Sequence, residues 1–393
     1  MVVHFACSGD GTTSNASTAG NTSSSSSSTS SSSSSSSTGG TTSSSGASGS
    51  GGTADCTNSA TTFDNTAAVV GAANALLAAL TEEQRTAIQY ETTLANAQQW
   101  SNFPITFVQR NGVRIGDMSA EAQTAAQALV DVAAGATGST LLTEAREADE
   151  WLVTDGNASS TDYGRGLYYF SIHGTPSTTS AWMLQIAGHH LAYNFTYNGR
   201  CTSATPLFDG VEPTTWTDGN GQSHAPLEAQ RAAGVALLAS VGTAAQLTGT
   251  FSDLVNGPAG GGPGGGGGGD TKYPSSLVYP SGTTGRGVAV STLSADQKEL
   301  VKTAMAAWVN NVADPVAAAL LADYQSDEAL NETYVGYSGS ADLTTQSSYF
   351  RIDGPRVWIE FSVQGGIVYR DRVHYHTIWR DKASDYGAEY VSQ

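Results

Sequence analysis

Four of the chain's seven histidines fall in two tight pairs, His189-His190 and His374-Tyr375-His376. In a β-strand alternate side chains share a face, so His374 and His376 point the same way while Tyr375 points opposite. Two imidazoles on one strand face suit a transition metal, and imidazole-rich sites take zinc, copper, iron or nickel. His189 and His190 are adjacent, hence on opposite faces of a regular strand, so only one joins such a site unless Gly188 permits a bulge or turn. Brought together, the pairs would make a site of three or four histidines. Glu360 or Asp353 would complete the shell or orient a ring, and Glu360, Asp353 and Arg351 are the candidate catalytic and supporting polar groups. The competing reading makes each ring a hydrogen-bonded core residue, the commoner fate of a histidine among strand aromatics. His224, ahead of Pro226, reads as a loop residue, and His173 as polar support.

Other catalytic signatures are missing. The sequence has no His-Glu-x-x-His and no Gly-x-Ser-x-Gly, so the common zinc protease and serine hydrolase readings lack support. The glycine-rich stretch at 257–269 is no phosphate loop, because no Gly-Lys-Ser/Thr closes it and Tyr273-Pro274 follows where a helix should start.

The elements that must position these residues are legible from periodicity. Helices are expected over Ala67–Leu80, from the capping box Thr81-Glu82-Glu83-Gln84, over 119–134 ending at Gly135, over 140–153, from Pro226 to Ala245, from Ser294 to about Asn311, and after Pro315. Strands are expected over Gly166–His173, Ala181–Tyr197, Ser348–Ile352, Arg356–Val363 and Arg372–Trp379. The fold class is therefore α+β, helices plus antiparallel strands in one domain over 63–393. Its two stretches, about 66–200 and 226–390, resemble one another. Tyr169-Phe170-Ser171-Ile172-His173-Gly174 parallels Tyr349-Phe350-Arg351-Ile352-Asp353-Gly354, and Met183-Leu184-Gln185-Ile186 parallels Trp358-Ile359-Glu360-Phe361. Two readings stand open: a duplication with a pseudo-twofold axis, or unrelated hairpins sharing common strand residues.

Composition bounds the partners. The 393 residues carry 17 Lys+Arg against 35 Asp+Glu, a net charge of −18. Phosphate backbones and anionic lipid need clustered Lys and Arg, so no nucleic-acid partner is expected. Residues 1–62 are almost wholly Ser, Thr, Gly and Ala, with no Lys or Arg and only Asp10 and Asp55 acidic. Such a segment reads as a disordered tether, unable to bury enough apolar surface to offset its ordering entropy. Phe5-Ala6-Cys7-Ser8 ahead of it resembles the end of a bacterial lipoprotein signal peptide, although Met1–Ala6 is shorter than a secretory signal. A lipid on Cys7 would be the only membrane attachment. Cys56 and Cys201 then remain, either as a disulfide suited to an oxidising compartment or as two buried thiols.

Gly188-His189-His190-Leu191 with Asn194, Pro206-Leu207-Phe208 with Gly210 and Pro213, and Arg351-Ile352-Asp353-Gly354-Pro355 with Trp358-Ile359-Glu360-Phe361 form a spaced set. With His374-x-His376, Trp379-Arg380-Asp381 and Asp385-Tyr386-Gly387, it resembles domain-of-unknown-function family 3500 over roughly 66–390. The resemblance implies that both His pairs and the terminal charged run belong to the family pattern; it implies no particular reaction. That terminal run reads either as a salt-bridged lid or as a solvated chain end.

The expectation that follows is a metal-dependent enzyme of the cell envelope or exterior, lipid-anchored or secreted, acting on a small-molecule or extracellular substrate. Its cofactor is a divalent transition metal, zinc, copper or iron, on His189, His190, His374 and His376. The alternative is a non-catalytic metal- or ligand-binding surface lipoprotein.

Overall fold

In the computed structural model, residues 65–257 and 277–390 are described. The expected tether, Cys7, Cys56 and nearly all of the glycine-rich stretch lie outside them. Cys201 is disulfide-bonded, and its partner also lies outside them.

The fold is α+β, one large and mainly antiparallel sheet with its long helices on one side. Its eight principal strands are β1 (Tyr169–His173), β2 (Trp182–Gly188), β3 (Leu191–Asn198), β4 (Leu207–Val211), β5 (Tyr334–Ser338), β6 (Tyr349–Asp353), β7 (Val357–Gly365) and β8 (Val373–Asp381). Their order across the sheet is β1-β2-β3-β4-β8-β7-β6-β5. Each half is thus a four-stranded antiparallel series, and the halves join where β4 pairs antiparallel with β8. Counting outward from that seam, β2 stands where β6 stands and β1 where β5 stands. The segments matched by sequence, β1 with β6 and β2 with β7, therefore occupy non-equivalent places. Even the sheet edges correspond: Gln89–Tyr90 runs parallel to β1, and Gln246 makes a parallel bridge to Tyr337 of β5.

Strand alternation gives the sheet two unlike faces. Phe170, Ile172, Leu184, Ile186, Tyr193, Leu207, Phe350, Ile352, Ile359, Phe361 and Trp379 share one continuous apolar core with the helices. There α1 (Thr66–Ala79) packs on α3 (Ala120–Thr154), and α4 (Glu228–Val241) on α5 (Ala295–Val309). Between α1 and α3, α2 (Glu82–Ile88) opens with the expected capping box, Thr81 and Gln84 each satisfying the other's backbone N–H. Gly135 sits at φ +66° inside α3, so the two helices expected on either side of it run on across a kink.

The opposite face is polar. It carries Ser171 and His173 from β1, Gln185 from β2, Asn194 from β3, Arg351 and Asp353 from β6, Glu360, Ser362 and Gln364 from β7, and His374, His376 and Arg380 from β8. Loops and a small apolar cluster of Trp100, Met183, Phe208, Ile378 and Tyr386 bury this face. The terminal run is held against the fold and is not a solvated end. Trp379, Arg380 and Asp381 are inaccessible, and Arg380 bonds Asp385 at 2.7 Å. Tyr386 accepts a hydrogen bond from Trp100 Nε1 at 2.7 Å.

Candidate metal centre

The i, i+2 spacing of His374 and His376 on β8 puts both rings on the polar face, and their Nε2 atoms lie 3.2 Å apart. The third ring comes from 186 residues away. Gly188 pairs directly with Leu191, so His189 and His190 are the two turn residues between β2 and β3 rather than part of a continuous strand. His190 adopts φ +56°, a conformation uncommon outside glycine, and this frees its ring from the alternation that would have separated it from β8. The turn is held in place: His190 N–H donates to Asn102 O at 3.3 Å, and Gly210 N–H to His190 O at 2.6 Å. His190 Nε2 then stands 3.1 Å from His376 Nε2.

Two of the three Nε2–Nε2 edges are short enough for His190, His374 and His376 to be a group that could hold a metal ion. Zinc–imidazole bonds of 2.0–2.1 Å at a tetrahedral angle require nitrogens about 3.3–3.4 Å apart. The observed 3.1 and 3.2 Å edges come close to this, and one ligand atom from each of His190, His374 and His376 lies within 4.8 Å of the others.

Gly210 makes room for the rings. It pairs with His376, and a β-carbon there would lie 2.9 Å from His190 Cγ and 3.0 Å from His376 Cδ2. Any larger residue would push the two imidazoles apart.

The outer ring nitrogens are also engaged. His374 Nδ1 donates to Gly365 O at 2.9 Å, leaving the Nε2 lone pair facing inward. His376 Nδ1 lies 2.9 Å from the Gln364 side-chain amide and 3.3 Å from Asp253 Oδ1. Carbonyl and carboxylate partners of this kind fix the orientation and tautomer of metal-binding histidines. Burial, reinforced by the neighbouring imidazoles, pushes His374 down to about 3 and lowers His190 well below the ordinary histidine range, so both are neutral at pH 7. Partial burial would raise Asp253, but the bond and attraction of His376 outweigh it and lower the carboxyl.

His189 faces elsewhere. Its Nδ1 is 2.6 Å from Asp149 Oδ1 on α3, and its ring stacks on that of His190 with centroids 3.7 Å apart. Tyr168 Oη donates to its carbonyl at 3.0 Å. Burial raises Asp149, with His189 opposing the shift. Behind the turn, the buried Arg110 binds Gly188 O at 2.9 Å and Ser101 O at 2.6 Å, and also reaches Phe103 O and Val108 O. Burial pushes that guanidinium down to about 9.

The three other sequence candidates do not meet the triad. Glu360 is buried and accepts from Trp358 Nε1 at 2.6 Å, Tyr349 Oη at 2.8 Å, Val255 N–H at 2.6 Å and Asn256 N–H at 3.0 Å. Asp353 is bridged by Arg286 and Lys382, each at 2.6 Å. By strand spacing it lies roughly 16 Å from His376. Arg351 donates to Gly285 O and covers the Trp358 ring. Asp253, Gln364, Gly365, Asp149 and Arg110 were not visible as partners in the sequence. Only Gln364 had a usable signal, its cross-strand place opposite His374. A groove of about 360 Å³ lined by Thr140, Glu144, Gln230, Ala307 and Asn311 opens among α3, α4 and α5, and none of the triad lines it.

Residues 62–388 match the family described as "Protein of unknown function (DUF3500)". The chain belongs to this family. Among curated proteins and among solved structures nothing matches, so the site of this DUF3500 chain is read from its own geometry.

Proposed function

We propose that this chain is a metal-dependent enzyme whose ion, zinc by preference, is held by His190, His374 and His376. The observation that carries the reading is the convergence of three buried imidazole Nε2 atoms, two of whose rings are anchored through Nδ1. Copper or iron would suit the same nitrogen donors; the short N···N edges favour a small tetrahedral ion. Zinc on three imidazoles keeps a coordination position for water and lowers that water's pKa, the chemistry of metal-assisted hydrolysis. His189, oriented by Asp149 and stacked on His190, is the group beside the triad suited to take up or hand on a proton. Glu360, Asp353 and Arg351 support the surrounding loops.

Metal analysis of protein purified without a polyhistidine tag tests the site. One ion per chain is expected, and none in a His374→Ala/His376→Ala variant; a metal-free parent sinks the reading. The near-complete burial of the rings favours a second reading, metal binding without catalysis. Cobalt substitution separates the two. An absorption band that shifts when azide is added reports an exchangeable position and catalysis, whereas an indifferent band reports a closed, non-catalytic site.

The net charge and the disulfide-bonded Cys201 support a location in the envelope or exterior. Recovery of the protein with Cys201 reduced, in the cytosolic fraction, would count against that.

A further inference from the structure

His374 is the second residue of β8, and its Nδ1 acceptor, Gly365 O, belongs to the last residue of β7. Strand ends and hairpin tips open first unless something ties them. Here the tie comes from another strand. Glu212 follows Val211, the last residue of β4, which pairs with Tyr375; one step further along that register stands His374. Glu212 is buried, and its Oε1 accepts from the N–H groups of Ile367 at 2.9 Å, Val368 at 2.8 Å and Tyr369 at 2.8 Å. Three consecutive backbone donors on one oxygen make a nest, filled by a carboxylate of the chain itself. The tip therefore leans from β7 across the start of β8 to β4. Gly366 fits the bend: its N–H donates to Arg372 O at 2.8 Å, and a β-carbon on it would lie 2.9 Å from Glu212 Oε1. Tyr369 adds a second tie, its Oη donating to Asp155 at the C-terminal end of α3 at 2.7 Å.

We infer that Glu212 is a positioning residue of the metal centre. By holding 367–369 it keeps Gly365 O on His374 Nδ1, so that the ring carries its proton there and turns its Nε2 lone pair to the ion. The inference rests on the metal reading of the triad and adds to it the residue that sets one ligand's tautomer. Its chemistry suits the task, because a carboxylate accepts from N–H groups more strongly than a neutral oxygen does.

Long-range proton–nitrogen spectra of the metal-free full-length chain, labelled with nitrogen-15 in its histidines, read the tautomers. The His374 signals are assigned from a His374→Ala spectrum, and the parent is expected to hold this ring as the Nδ1–H form. Glu212→Ala should move the tautomer ratio about fivefold toward Nε2–H and weaken zinc binding about tenfold, with the circular dichroism of the sheet unchanged. Glu212→Gln, which keeps an oxygen for the same donors, should bring zinc affinity back to within about threefold of the parent. A purely structural carboxylate would lower the melting temperature and leave tautomer and zinc affinity as they were. An unchanged tautomer or an unchanged zinc affinity in the alanine variant therefore overturns the proposal. A glutamine variant as weak as the alanine one would assign the loss to electrostatics and overturn it too. If Glu212→Ala does not fold, Glu212→Asp, whose carboxylate falls one methylene short of the tip, takes its place under the same expectations. A parent that takes up no zinc sinks the metal reading, and the tautomer then decides by itself: a shift supports Glu212 as the residue that positions His374, and no shift overturns it.

Discussion

At His190, backbone and side chain serve one end. A strand conformation would have sent its ring and that of His189 to opposite faces, whereas φ +56° in a two-residue turn stacks the rings together. Holding a non-glycine residue there costs on the order of 1 kcal/mol, offset by the hydrogen bonds from Gly210 and to Asn102. His173, on the same sheet face, shows what an imidazole without this role looks like. Among the described residues its Nε2 meets only Ser171 Oγ at 3.0 Å and its buried Nδ1 has no hydrogen-bond partner, and burial pushes the ring down to about 4. The native state resists protonation there while the unfolded chain takes up its proton near 6.5. Stability from this residue is therefore intact above pH 6.5 and is lost as pH falls toward 4. Urea unfolding at pH 7.5 and 4.5 is expected to show a stability loss in the parent about 2.5 kcal/mol larger than in His173→Gln. Equal losses would mean that the ring is already protonated or solvated in the native state.

At the scale of elements, the β7–β8 hairpin carries most of the centre. His374 and His376 stand on one strand; on the other, Gly365 O accepts from His374 Nδ1 and the Gln364 amide, opposite His374 in register, reaches diagonally to His376 Nδ1. The loop that brings Asp253 is fixed to the same hairpin by Glu360, which accepts from the backbone N–H groups of Val255 and Asn256. Glu360→Gln would turn an amide donor toward donors that now meet a carboxylate, a loss of about 2 kcal/mol. The expected outcome is faster proteolytic cleavage near 251–256 and zinc affinity lowered about tenfold, with the circular dichroism of the sheet unchanged. Unchanged zinc affinity would show that the loop does not orient His376.

The whole molecule decides whether there is a site at all. His190 belongs to one half of the sheet and His374 and His376 to the other, and the antiparallel β4–β8 seam, where Gly210 pairs with His376, brings them together. An ion bound there ties the halves, so it must stabilise the fold as a unit. Free zinc at about a hundred times its Kd should add about 2.7 kcal/mol and raise Tm by on the order of 5 °C. His190→Ala should abolish the rise. An equal rise in that variant would place the bound zinc elsewhere.

The sequence by itself determined the class of structure and the identity of the chemical groups. Strand and helix periodicities, the capping boxes at Thr81 and Ser294, and the shared face of His374 and His376 are local consequences of backbone geometry, so the residues alone state them. Which of His189 and His190 would join that face was not readable locally, since the turn between Gly188 and Leu191 is held by Asn102 and Gly210 from elsewhere in the chain. The roles of Glu360 and Asp353 were likewise hidden. A buried carboxylate reads the same in sequence whether it faces a metal or four donors, and those donors come from residues as far as 105 positions away. Asp253 and Asp149 reach their histidines across 123 and 40 residues. Contacts at such separations are set by how helices and loops pack onto the sheet, and tertiary structure alone decides that.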